Sequence, residues 1–229
     1  MNEFQKIYPF TTETISGYIT KMDIKNKSVL TLGSSCDQAL NSLLLGASDV
    51  TIFDINEQVE YFYNLKRKLI LSLSRKELIQ NVITLKQFSY FDDIFTYYDL
   101  KKMNLYLKND ENYCKLQNIL KEKTINFKVG NILEISKYLE NNKKYDRVIL
   151  SNVLDYIAIG LGSEEIVFKI YNDLLPYLNN EALIQLYYLY GSIKPEGFIK
   201  VVNKFLENDI LLGKIQCDSN DSVIFVKKK

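Results

Sequence analysis

The chain has 229 residues, 47% of them hydrophobic and 25% charged, with a net charge of +1. That is enough for one sizeable core, and it gives no global case for nucleic acid or an anionic membrane surface as partner. Histidine is absent, which excludes Ser–His and Cys–His nucleophilic sites, His-ligated metals and a histidine general base.

Cys36, Cys114 and Cys217 stand far apart and in no C-x-x-C pair, so neither a disulfide framework nor a metal site is expected. The N-terminal stretch lacks a basic start followed by an apolar core, and no run reaches the ~18 apolar residues of a membrane span. The expectation is a cytoplasmic protein with no integral membrane segment.

Residues 11–23 read as a helix capped by Thr11 or Thr12, with Ile15, Tyr18, Ile19 and Met22 on one face. "KSVLTLG" is a short strand without alternation, as expected when both faces are covered. "DQALNSLLLG" sets Ala39, Leu40, Leu43 and Leu44 at helical spacing and stops at Gly46. "DVTIFDIN" is a second buried strand. Residues 57–74 form a long helix with Val59, Phe62, Leu65, Leu69 and Leu73 as its stripe.

Residues 75–123 break the rhythm and read as a helical insert within a single domain spanning 1–229. It holds the aromatic run at 88–98, where Phe88, Phe91 and Phe95 have ordinary core spacing; a lid or acceptor wall is the alternative. Alternation then resumes. "TINFKVGN" is a strand, "ILEISKYLENN" a short helix, "YDRVILSNVLDYI" a strand and loop, and "SEEIVFKIYNDLLPYL" a helix opened by Ser163. The strand "EALIQLYYLYG", the helix "PEGFIKVVNKFLEN" and a closing antiparallel pair complete the chain. The pattern predicts an α/β fold: a doubly wound, mostly parallel seven-stranded sheet with helices on both faces.

In such sheets ligands sit at the carboxyl ends of the strands, near the point where strand order reverses. Gly33 ends the first strand, where a side chain would block close approach, and Ser34 and Ser35 bring hydroxyls and amides to the same turn. Asp54 ends the second strand, at the roughly 20-residue interval from which an acid bonds ribose hydroxyls. Ile55 follows it. A dinucleotide fingerprint would require glycines where the chain has Ser35 and Gln38. A cofactor with ribose and adenine but no phosphates fits better, and S-adenosylmethionine is one. Asn131 and Ile132 follow the third strand, where an amide pairs with an adenine edge or serves as a turn residue. Ser151, Asn152 and Asp155 follow the fourth, facing the reactive centre or forming an ordinary loop.

Together "VLTLGSSCDQAL", "DVTIFDIN" and "NLKRKLILSLS" resemble the S-adenosylmethionine-dependent transferase superfamily of the methyltransferase (Rossmann-like) fold. Within it they look closest to the betaine-lipid synthase family, whose members move a 3-amino-3-carboxypropyl group. Gly33-Ser34, Ala39-Leu40 and Asp54-Ile55-Asn56 match that family's motifs, and Ser35 replaces a glycine. The resemblance covers roughly residues 28–75 and specifies the cofactor rather than the acceptor. It implies that Gly33, Ser34 and Ser35 line the cofactor loop and Asp54 holds the ribose, with Gln38 and Ile55 beside them as further cofactor-binding candidates. It also implies Asn131 and Ile132 on the adenine side, and Ser151 and Asn152 beside the sulfonium.

A sulfonium needs little proton transfer, in agreement with the absent histidine. Asp155 is the candidate base or acceptor-orienting group, and Tyr156 or Tyr18 the candidate pocket-closing residue; a helix cap and core tyrosines are the alternatives. The expected function is transfer of a methyl group from S-adenosylmethionine to a small-molecule acceptor. Aminocarboxypropyl transfer and non-catalytic S-adenosylmethionine binding are the rival readings. A nicotinamide oxidoreductase is disfavoured by Ser35 and Gln38.

Overall fold

The computed structural model describes residues 8–81, 100–154, 156–157, 164–191, 198–208, 210, 212–218 and 220–228. The aromatic run at 88–98, Asp155 and Ser163 lie outside the described residues.

Strands β1 (Ser28–Leu32), β2 (Asp49–Asp54), β3 (Asn126–Val129), β4 (Tyr145–Ile149), β5 (Leu178–Leu189), β6 (Leu212–Gln216) and β7 (Ser222–Lys227) form one sheet, ordered β3-β2-β1-β4-β5-β7-β6. β1 to β5 pair in parallel, and β7 runs antiparallel to β5 and β6, as the unbroken final strand pair implied. Helix-linked parallel strands bury both faces, which is why these strands read as apolar runs. Val29, Val50, Ile52 and Ile149 enter one core, while Leu30, Phe53 and Val148 enter the other.

The first core is covered by α1 (Ile15–Ile19), α2 (Asp37–Leu44), α3 (Gln58–Ser72) and α4 (Arg75–Gln80), followed by α5 (Leu100–Met103), α6 (Leu105–Lys108) and α7 (Asp110–Glu122). The second is covered by a 3-10 turn at Ile132–Lys137, α8 (Glu164–Leu174) and α9 (Phe198–Glu207). Strand order reverses between β1 and β4, which opens a crevice at their carboxyl ends. Among the described residues no helix is long and apolar enough to cross a membrane.

Two expectations change. The helix at 11–23 is only Ile15–Ile19, and neither Thr11 nor Thr12 caps it. The Thr11 N–H instead donates to Asp37 Oδ2 at 2.7 Å, and the Thr12 hydroxyl bonds the Tyr190 hydroxyl at 2.8 Å. Those long-range partners hold the segment as an irregular, bent stretch, although Ile15, Tyr18, Ile19 and Met22 are all buried as expected. On α3 the buried face is Val59, Phe62, Tyr63, Lys66 and Ile70, and Leu65, Leu69 and Leu73 are only partly covered. The described end of the 75–123 segment packs onto the first core, where Tyr106, Leu107, Tyr113, Leu116 and Leu120 are buried. It is docked on α2 by Asn41, whose amide donates to Asn104 Oδ1 and accepts from the Leu105 N–H, both at 2.8 Å.

Lys66 is fully buried because it meets a buried carboxylate. Its Nζ lies 2.5 Å from Asp37 Oδ1 and also donates to the carbonyls of Pro9 at 2.8 Å and Ser35 at 2.9 Å. Removing one member of such a pair strands the other charge. Lys66→Met is therefore expected to lose about 3–5 kcal/mol of folding stability, read as a lower midpoint in urea denaturation.

Candidate functional site

β1 runs into a tight turn. The Gly33 N–H donates to the Phe53 carbonyl at 3.1 Å, and the Cys36 N–H returns to the Gly33 carbonyl at 2.5 Å. Ser34 and Cys36 both adopt left-handed backbone, with φ of 41° and 62°. A Cβ on Gly33 would lie 2.5 Å from Val59 Cγ1 and 2.7 Å from Asp54 Oδ2. Glycine is required here because the Asp54 carboxylate packs directly against the turn.

Asp54 is fixed by backbone. Its Oδ2 accepts from the Ser34 N–H at 3.0 Å and its Oδ1 from the Asn56 N–H at 2.9 Å. Burial pushes its carboxyl above the usual range, and these N–H bonds pull against that shift. Each oxygen retains acceptor capacity for a ligand hydroxyl. Ile55 beside it is 50% exposed, an apolar surface at the strand end. Asn131 caps the following 3-10 turn, its Oδ1 accepting from the Leu133 N–H at 3.0 Å, and Ile132 is buried.

Several predicted residues take other places. Ser35 is completely buried; its hydroxyl donates to Asp37 Oδ2 at 3.1 Å, so it braces the turn from behind instead of facing the crevice. Tyr18 is also completely buried and closes no pocket mouth; its hydroxyl donates to Glu13 Oε2 at 3.2 Å. Tyr156 is 66% exposed. Ser151 ends β4 in left-handed backbone, φ 57°, clamped by Gln185, which accepts from its N–H at 2.7 Å and donates to its carbonyl at 2.9 Å. Asn152 follows, half-buried.

The residue that sequence reasoning missed is Glu13. It sits in the N-terminal segment where a helix was expected, off the predicted apolar face, yet it is 2% exposed. Ser151 Oγ donates to its Oε1, and Gln38 Nε2 donates to its Oε2 at 3.3 Å alongside Tyr18. Burial, with Asp221 adding a like charge, raises its carboxyl to about 7 against the opposing pull of these donors. The one available signal was a lone acid in the hydroxyl-rich run "TTETIS". Gly33, Ser34 and Asp54 thus meet at one side of the turn, and Gln38, Ser151 and Glu13 at the other.

No protein-family model and no curated protein matches this sequence. Solved structures share its fold at low identity. The ribosomal protein L11 methylase of Lactobacillus delbrueckii subsp. bulgaricus has a TM-score of 0.50 at 14% identity, covering 94% of this chain and 77% of that one. The N-methyltransferase NodS of Bradyrhizobium japonicum WM9, in complex with S-adenosyl-L-homocysteine, has a TM-score of 0.50 at 8% identity, covering 92% and 83%. TrmN of Thermus thermophilus has a TM-score of 0.51 at 12% identity, covering 94% of this chain and 48% of that one. The chain has the α/β fold of these methyltransferases. None of the three is named as an aminocarboxypropyl transferase, so the narrower betaine-lipid resemblance gains no support from them.

Gly33→Ala is expected to cost about 1–3 kcal/mol through forced repacking against Val59 and Asp54, measured by thermal denaturation. Glu13 sets a pH dependence. Between its unfolded value of 4.5 and its folded value of about 7 the native state binds the extra proton. Its contribution to stability is therefore full below the lower value and falls until the upper one is passed. That loss amounts to about 3 kcal/mol. Glu13→Gln should accordingly raise the melting temperature at pH 8 and leave it little changed at pH 4.

Proposed function

We propose that the chain is an S-adenosylmethionine-dependent transferase that works in the cytoplasm and carries a methyl group to a small-molecule acceptor. The observation that supports this most is the Asp54 carboxylate held against the glycine turn of Gly33, beside the switch point of a sheet with this strand order.

The residues fit such a cofactor on two counts. Gly33 lets the Asp54 carboxylate close against the turn at a strand end, where its oxygens retain acceptor capacity, and Gln38 Oε1 is a buried acceptor without a hydrogen-bond partner among the described residues. Asp54 would take the ribose hydroxyls, and the Gly33–Ser34 backbone would pack along the ribose. Ile55, Asn131 and Ile132 would border the base. Ser151 and Asn152 would flank the reacting end. When bound, S-adenosylmethionine supplies a carbon already activated by a sulfonium. The protein's part is then to orient and to exclude water. Residues that are rigid and buried suit that task. Ser151 is locked by Gln185 and Asp54 by two N–H groups. No histidine is needed. Asp155 remains the candidate acceptor-side carboxylate, and Tyr156 an exposed aromatic near it in sequence.

Aminocarboxypropyl transfer is the second reading, favoured by the match of Gly33-Ser34 and Asp54-Ile55-Asn56 to that family's motifs. The test starts with calorimetric titration of S-adenosylmethionine into wild type and Asp54→Ala. The variant should bind about 1–3 kcal/mol more weakly, through loss of a hydrogen bond to a charged group. Unchanged affinity in the variant, or no binding by wild type, overturns the reading. Mass analysis of the nucleoside formed in cell extract then assigns the reaction: S-adenosylhomocysteine for methyl transfer, methylthioadenosine for the alternative. Loss of turnover after nuclease or protease treatment of the extract would replace the small molecule with a macromolecular acceptor.

A further inference from the structure

Two buried carboxylates in this molecule have opposite surroundings. Asp37 is matched by Lys66. Glu13 has no cation paired with it among the described residues. Among the described residues, the groups that face it from neighbouring elements are neutral or acidic: Tyr18 from α1, Gln38 from α2, Ser151 after β4, and Cys217 and Asp221 from the β6–β7 turn. Two of its donors lie on Oε2 and one on Oε1, so Oε1 retains a free lone pair. Beside it, Gln38 Oε1 is buried and has no partner among the described residues. A ligand that satisfies both must donate several hydrogen bonds from one small group and bring positive charge. An ammonium group does both.

Its position says which ammonium. Glu13 bridges α2 and the end of β4, the two walls of the crevice between β1 and β4. Asp54 stands on the other side of the Gly33 turn, at the end of β2. A ligand with its ribose on Asp54 and a short chain laid across the turn delivers the end of that chain to Glu13. Resting on the cofactor reading above, we infer that Glu13 and Gln38 Oε1 receive the α-ammonium group of the cofactor's amino-acid arm. Glu13 is then a cofactor-binding residue, and Tyr18 and Ser151 are positioning residues that hold its carboxylate.

The test compares three ligands by calorimetry at pH 8: S-adenosylhomocysteine, its analogue with hydrogen in place of the α-amino group, and 5′-methylthioadenosine, which lacks the arm. Wild type should prefer S-adenosylhomocysteine to the des-amino analogue by tenfold or more. Glu13→Gln should lose that preference while binding 5′-methylthioadenosine as wild type does. Asp54→Ala should weaken all three alike. Wild type that binds the first two ligands equally, or Glu13→Gln that keeps the preference, overturns the assignment and leaves the cofactor reading standing. Wild type that binds none of the three removes both. The comparison of ligands on wild type alone carries the test should the variant fail to fold.

Discussion

The arrangement depends on one carboxylate that never meets water. Asp37 opens α2 and accepts from Lys66 Nζ at 2.5 Å, the Tyr106 hydroxyl at 2.7 Å, the Thr11 N–H at 2.7 Å and the Ser35 hydroxyl at 3.1 Å. Lys66 in turn places its remaining N–H groups on the Pro9 and Ser35 carbonyls, with the Phe10 ring 4.5 Å away. A buried ion pair repays its desolvation only when geometry is good and the remaining lone pairs and protons are satisfied. Here all three lysine protons are satisfied. The cluster joins four parts of the chain that are remote in sequence: the N-terminal segment, the turn after β1, α3 and α6. Thr11 is anchored by it, and Glu13, two residues on, is thereby carried into the crevice.

The crevice is organised on a different principle. Its backbone is strained at Ser34, Cys36 and Ser151, three non-glycine residues with positive φ, each costing on the order of 1–3 kcal/mol. Its second carboxylate, Glu13, is buried without a cation. Positive φ also occurs away from the crevice, at Asp23, Asn26 and Glu181, so what sets the crevice apart is the unmatched Glu13, beside an ion cluster that is fully satisfied. An unmatched buried carboxylate beside a fully bonded support is a feature expected of a binding site.

What was legible in the sequence follows from what each residue answers to. The strands read clearly because both-face burial writes itself as an apolar run, and the Gly33–Asp54 interval is fixed by one strand–helix–strand unit. The N-terminal segment read wrongly because Thr11, Thr12 and Glu13 answer to Asp37, Tyr190 and Ser151, partners far along the chain. Ser35 and Tyr18 were expected to face the cofactor or close its pocket, but both are buried and their hydroxyls turn inward to Asp37 and Glu13. Lys66 shared the same fate: a lysine on an amphipathic helix reads as solvated until its buried acid is known. The narrower family resemblance rests on cofactor motifs, and a fold of this kind hosts many acceptors.

The electrostatics of the crevice bear on ligand class independently of its glycines. Dinucleotide sites cradle a pyrophosphate, whose negative charges need N–H groups or cations. Here Asp54 flanks one side of the Gly33 turn and Glu13 the other, and Lys66, the one buried lysine nearby, already has all its protons engaged. A polyphosphate laid across this turn would meet two carboxylates and no available buried ammonium among the described residues. A nucleoside with hydroxyls at one end and a cationic arm at the other meets complementary groups at both. The replacement of fingerprint glycines by Ser35 and Gln38 thus agrees with the charge pattern. Gln38 does more than fill a position: it holds Glu13 with one amide atom and leaves the other, Oε1, without a partner among the described residues.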